Sequence, residues 1–186
     1  TVIVRPPVVV GDSKTGEIEK IDGPYYAFVM IKRRLHWVIP DSKDTKCHIG
    51  PVDYVADAFQ ALLFDEAAAG RTFLLTDPHP LTYNAFFDLA CETWGRFKPL
   101  LHVPPAWLAP IARTDLFRRV VGVPYEAYLY SDNPVEYSSP KTVEALAGHG
   151  IACPPVHSYI DVMIRYFLEH YRDEGIRRGD WRQATS

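Results

Sequence analysis

The opening stretch TVIVRPPVVV is almost unbroken in apolar, β-branched character, with only Arg5, Pro6 and Pro7 departing from Val, Ile or Thr. There is no apolar/polar alternation before Arg5, so the pattern predicts a strand buried on both faces, as in a parallel sheet. Pro6 and Pro7 lack the N–H that a ladder needs and end regular pairing. A Gly11-Asp-Ser-Lys-Thr-Gly16 turn follows, giving the order strand, stiff exit, glycine-bounded loop. Such loops at the carboxyl ends of strands are where open α/β sheets hold ligands. Tyr25 to Leu35 reads as a short helix behind the Asp22-Gly23-Pro24 turn, and Lys46 to Val52 as a short strand broken by Gly50-Pro51. The clearest helix begins at Asp53, read as its N-cap, and stops at Gly70. Val55, Ala58, Phe59, Leu62 and Leu63 form its apolar face at helical spacing.

The second half continues the alternation and then turns helical. Arg71 to Thr76 is an apolar strand, Thr82 caps a helix that stops at Gly95, and Lys98 to Val103 is a third strand candidate. Ala106 to Val121 has a helical pattern with Pro110 inside it, which predicts a kink or two short helices. Tyr125 to Ser131 fits a helical turn or a strand equally. Ser139 before Pro140 reads as an N-cap followed by proline at the first helical position, with Gly148 and Gly150 closing that helix. Ser158 with Asp161 approximates a capping box for the last helix, which runs on to Gly175. The sum is an α/β chain with a helical C-terminal portion.

Charge and composition narrow the function. A net charge of −3 over 186 residues argues against a nucleic-acid binder that works by neutralising phosphates. Arg172, Arg177, Arg178 and Arg182 are interleaved with Asp173, Glu174 and Asp180 and read as a solvated end. No apolar run approaches the roughly 20 residues of a membrane span. Cys47, Cys91 and Cys153 are widely spaced and fit reduced, buried thiols in a cytoplasmic protein. The histidines show no metal-ligand spacing, so no structural metal is expected.

The chemical motifs are partial. Gly11 to Gly16 is half of a phosphate loop, but Glu17 and Ile18 stand where Lys and Ser/Thr are required. Asp12 and Ser13 could hydrogen-bond a substrate hydroxyl or carbonyl, or brace their own loop as an Asx-type turn, and bracing is the simpler reading. Tyr137 and Lys141 match Y-x-x-x-K, yet Pro140 opens a new helix between them, so the two do not share one helical face. No G-x-S-x-G elbow is present, so a hydrolase has no motif behind it.

Four stretches, VIVRPPVVVGDSKTGEI, HIGPVDYVADAFQALL, TFLLTDPHPLTYNAFFDLA and VEYSSPKTVEALAGHGIACPPVHSYIDVMIRYF, resemble the C-terminal half of an extended short-chain dehydrogenase/reductase. The likeness is strongest to the branch of thioester and fatty-acyl reductases, within the wider epimerase/dehydratase group. It implies a fold that is the C-terminal part of a Rossmann-type enzyme. Two strands of the parallel sheet, Val2–Arg5 and Thr72–Thr76, would be joined to a mostly helical substrate-binding lobe over residues 1–186. It also implies NADP or NAD as the cofactor of the parent protein, with Pro6, Pro7 and Val8 beside the nicotinamide. Gly11, Asp12 and Ser13 would lie on the substrate side, and Asp53 would cap its helix. Read from its own residues, the Tyr25–Leu35 helix supplies core side chains or, being close to the loop, walls a substrate pocket with Tyr25. The glycine-rich turn and a usable Tyr/Lys pair are absent from this sequence. A doubly buried strand at the first residue also has no upstream neighbour. The chain therefore reads as the back half of a larger protein, inactive and unable to hold the cofactor alone. Its expected partners are a small-molecule substrate, the missing N-terminal half and further copies of itself through unpaired strand edges. The rival expectation is a non-catalytic binding or regulatory module on the same lobe.

Overall fold

The computed structural model describes residues 1–121, 123 and 135–173. It is an α/β structure whose described strands are all three residues long and pair in parallel. The strands β1 (Ile3–Arg5) and β5 (Thr72–Leu74) form one pair, and β2 (Val8–Val10) and β4 (Ile49–Pro51) a second. The third pair is β3 (Val38–Pro40) with β6 (Leu101–Val103). The helices are α1 (Tyr25–Arg33), α2 (Val52–Phe64), α3 (Tyr83–Thr93), α4 (Pro105–Ala112), α5 (Asp115–Val121), α6 (Pro140–Ala147) and α7 (Ile160–His170). Among the described residues no helix is long and apolar enough to cross a membrane. Tyr125–Ser131, Arg177, Arg178 and Arg182 lie outside the described residues.

The chain divides into two compact units. The first comprises Thr1–Ile18, His48–Pro80 and Glu136–Met163. Its opening strand is split: Pro6 and Pro7 separate β1 from β2, and each half takes a different partner. Nor is it buried on both faces, since Ile3 and Val8 are about half exposed while Val10 is closed to solvent. Helix α2 starts two residues earlier than a cap at Asp53 would give, at Val52, with Pro51 in the capping position. Its core stripe is Tyr54, Ala58 and Leu62, which join Phe73, Leu75 and Leu146. Val55 and Ala61 flank that stripe. Phe59 and Leu63 each follow a core position by one residue, about 100° around the helix, and stand exposed. The outer edge of β5 is met by α6, where Thr142 Oγ1 accepts from the Leu74 N–H at 3.1 Å.

The second unit comprises Glu19–Cys47, Leu81–Val135 and Ile164–Ser186. It is built around Phe28 of α1, which meets Tyr25, Phe86, Trp94 and Phe167 at centroid distances of 5.4, 6.1, 6.4 and 5.6 Å. Thr82 caps α3 as expected, its hydroxyl accepting from the Ala85 N–H at 3.1 Å. The Ala106–Val121 stretch is indeed two short helices, but the break falls at Thr114 rather than Pro110. The Thr114 hydroxyl donates to the Ile111 carbonyl and accepts from the Phe117 N–H, ending one helix and opening the next.

Candidate functional site

The candidate site lies in the first unit, where β2 and β4 end and the Gly11–Gly16 loop begins. Two parallel pairs are brought side by side there by a close approach at Gly50. A Cβ on that residue would come 2.9 Å from Pro7 Cγ and 3.9 Å from the Leu75 carbonyl oxygen. Only a residue without a side chain lets Pro7 sit so near the β4 backbone. The Val8 N–H is then free to donate to the His48 carbonyl at 3.0 Å, and the ladder resumes after the prolines.

The loop is held from inside and from outside. Inside, Asp12 Oδ1 accepts from the N–H groups of Lys14 and Thr15, both at 2.8 Å, and from the Thr15 hydroxyl at 3.2 Å. This is the Asx-type bracing the loop composition suggests. The Thr15 N–H, then that of Lys14, holds the Asp12 carboxyl below the usual carboxylate range. Gly16 closes the turn at φ 77°. Outside, Asp53 reaches across 40 residues of sequence: its Oδ1 accepts from the Ser13 N–H at 3.0 Å, and its Oδ2 from the Ser13 hydroxyl at 2.6 Å. Asp53 is thus not the helix cap that its position suggests. With Pro51 in that position and Asp53 in the first turn, its carboxylate is free to clamp the loop. The positive end of α2 favours a negative charge there.

A second polar group sits at the end of β5. His48 Nδ1 lies 2.9 Å from Thr76 Oγ1, buried, and the Tyr137 ring stands edge-on to the imidazole at 4.9 Å. The Ser139 hydroxyl donates to the Thr76 carbonyl at 3.3 Å. That bond replaces the cap expected of Ser139, which makes no side-chain bond to its own helix. Tyr137 precedes α6, so the Y-x-x-x-K match does not place its phenol and Lys141 on one helix. Nothing in the spacing announces the His48–Thr76 pair; its only sequence trace is a polar residue at the edge of each of two apolar strands.

The named residues therefore fall into two places. Pro6, Pro7, Val8, Gly11, Asp12 and Ser13 are contiguous in the first unit, with Pro6 and Val8 exposed and Pro7 half-buried. Tyr25 belongs to the second unit and is closed to solvent against Phe28. Cys47 and Cys91 are buried and Cys153 half-buried, and burial pushes each thiol up to about 12. Among the described residues no His, Cys, Asp and Glu side chains gather as a metal site.

Residues 1–59 match an NAD-binding family described as male sterility protein. No protein of curated function matches the sequence. Among solved structures, the terminal R domain of the myxalamid PKS-NRPS pathway is 25% identical. Its TM-score is 0.68, over 93% of this chain and 45% of that one. A thiolation-reductase di-domain from an archaeal non-ribosomal peptide synthetase is 18% identical, with a TM-score of 0.64 over 91% and 36%. An epimerase from Methanothermobacter thermautotrophicus is 14% identical, with a TM-score of 0.60 over 91% and 44%. The fold is that of an extended short-chain dehydrogenase/reductase. The chain spans less than half the length of these structures. It is related to NAD(P)-dependent reductase and epimerase domains. Within that dehydrogenase/reductase fold, the family match covers both the strand–proline–strand entry and the Asp53 that clamps its loop.

Proposed function

We propose that the chain is the substrate-binding portion of an NAD(P)-dependent oxidoreductase or epimerase acting on a carbonyl, acyl-thioester or sugar carbon. The observation that carries this reading is the rigid loop after β2, fixed by Gly50, Asp12 and the Ser13–Asp53 clamp, within residues matched to an NAD-binding family. Pro6 and Val8 present apolar surface at a strand end, which suits one face of a nicotinamide ring. NAD(P)H, when bound, supplies hydride. The residues of this chain position what receives it. Gly11, Asp12 and Ser13 face the substrate, and the Ser13 hydroxyl, its proton held by Asp53, keeps lone pairs to accept from a substrate hydroxyl. Tyr25, closed to solvent against Phe28, serves as a core residue of the second unit. The turn that cradles the cofactor phosphates and the Tyr/Lys pair that moves a proton would be supplied by residues outside this sequence. The competing reading, a binding module without catalysis, draws on Tyr137 lying ahead of Pro140 and off the helix that carries Lys141.

Titration with NADPH and NADH, followed by tryptophan fluorescence, tests the proposal. The 186-residue chain should show no saturable change. The full-length protein should bind, and Val8→Asp should weaken that binding roughly tenfold by placing a charge against the ring. Saturable binding by the chain alone would overturn the division of labour. A full-length protein that binds no nucleotide would favour the module.

A further inference from the structure

A pocket of about 110 Å3 opens in the second unit, between two helix faces and a strand end. Tyr26, Ala27 and Met30 recur at helical spacing on α1, and Phe86 and Phe87 line the opposite side from α3. Ile39 of β3 contributes another apolar wall. The pocket therefore looks onto the face of α1 next to the one that carries Tyr25 into the core. Two of its polar lining residues, Ser42 and Asn84, are engaged with each other, and Ser42 is buried. The Ser42 hydroxyl donates to Asn84 Oδ1 at 2.8 Å and accepts from the Asn84 N–H at 3.1 Å, while Asn84 Nδ2 donates to Asp41 Oδ1 at 3.0 Å. A polar group pushed inside would lose water and find Ser42 and Asn84 already engaged, whereas hydrocarbon would lose nothing.

We propose that this pocket binds a small hydrocarbon group, with the polar end of the ligand left in solvent. Size follows from volume: a dry cavity of about 150 Å3 holds the six carbons of benzene, so about 110 Å3 holds roughly four or five. The ligand class is thus a short alkyl chain or a compact branched aliphatic group. The site needs no cofactor, and its existence does not depend on the nucleotide reading.

The chain offers an internal control, because it has two methionines, Met30 in the pocket wall and Met163 buried in the first unit. With methyl-13C methionine, titration by n-alkanols should move the Met30 methyl resonance saturably and leave Met163 in place, M163L giving the assignment. Affinity should rise roughly fourfold per methylene from ethanol upward and level off at about pentanol. Ala27→Phe should abolish the response. Ala27→Val, a smaller intrusion that protects against a folding failure, should shift the plateau towards propanol. The proposal is overturned if Met30 shows no saturable shift, if both methyls move together, or if Ala27→Val keeps the wild-type length profile.

Discussion

At the scale of single residues, the Ser13–Asp53 contact decides how the loop after β2 is held. Asp53 accepts twice from one residue, and the 2.6 Å hydroxyl bond is of the short, charge-assisted kind. The two residues are 40 apart in sequence, so the contact exists only once β2 and β4 have paired. Removing the hydroxyl alone keeps the bond from the Ser13 N–H. A double-mutant cycle on Ser13→Ala and Asp53→Asn, read by chemical denaturation, should therefore return a coupling of about 1 kcal/mol. Strictly additive losses would mean that the clamp contributes nothing beyond each side chain's own environment. Asp53 is also where sequence reading and structure part. Its place at the start of an apolar periodic run is the N-cap signature, and Pro51 takes that position because β4 runs directly into the helix.

At the scale of elements, three Ser/Thr residues carry the same capping signature in the sequence and behave differently. Thr82 caps α3. The Ser139 hydroxyl goes to the Thr76 carbonyl, and the Ser158 hydroxyl donates to the Pro155 carbonyl at 2.7 Å within a short 3-10 turn. Ser158 closes that turn, and only Tyr159 stands between it and the first residue of α7, so the helix opens one residue later than a cap at Ser158 would give. Which way a hydroxyl turns depends on the carbonyls that tertiary structure brings near it, and those are invisible along the sequence. Thermal or denaturant unfolding should separate the cases. Thr82→Ala should cost about 1 kcal/mol through the lost cap, and Ser158→Ala, at an exposed hydroxyl that donates to the Pro155 carbonyl, should stay within about 0.5 kcal/mol. Equal losses at the two sites would contradict this assignment. The helices themselves were legible because apolar periodicity survives whichever residue caps them. The burial of α2 was legible only in part, since a face one residue over, Tyr54–Ala58–Leu62, turned inward and left Phe59 and Leu63 outside.

At the scale of the molecule, the α/β class and the parallel pairing are as the sequence suggests, although the burial on both faces from which the pairing is inferred is absent at Ile3 and Val8. The partition into two units is not suggested there, because each unit is assembled from three separated stretches and no linker composition marks the crossings. The cysteines sample both units, with Cys47 and Cys91 in the second and Cys153 in the first. They give a property of the whole fold that can be tested. Burial raises each thiol from an ordinary value of 9.0 to about 12, so the native protein keeps them neutral where an unfolded chain would ionise them. For an acid raised in the folded state, the stabilisation is fully present below the unfolded value and is lost as pH climbs towards the folded one. Stability should thus hold up to about pH 9 and fall between there and pH 12, by about 1 kcal/mol for each fully buried thiol at pH 10. In that window Cys47→Ala/Cys91→Ala should show a shallower decline with pH than the wild type, whatever constant penalty the two substitutions carry. Parallel declines would show that the buried thiols do not set the alkaline limit. The same burial predicts slow alkylation of Cys47 and Cys91 by iodoacetamide at pH 8, rising to the rate of a free thiol only when the chain is unfolded.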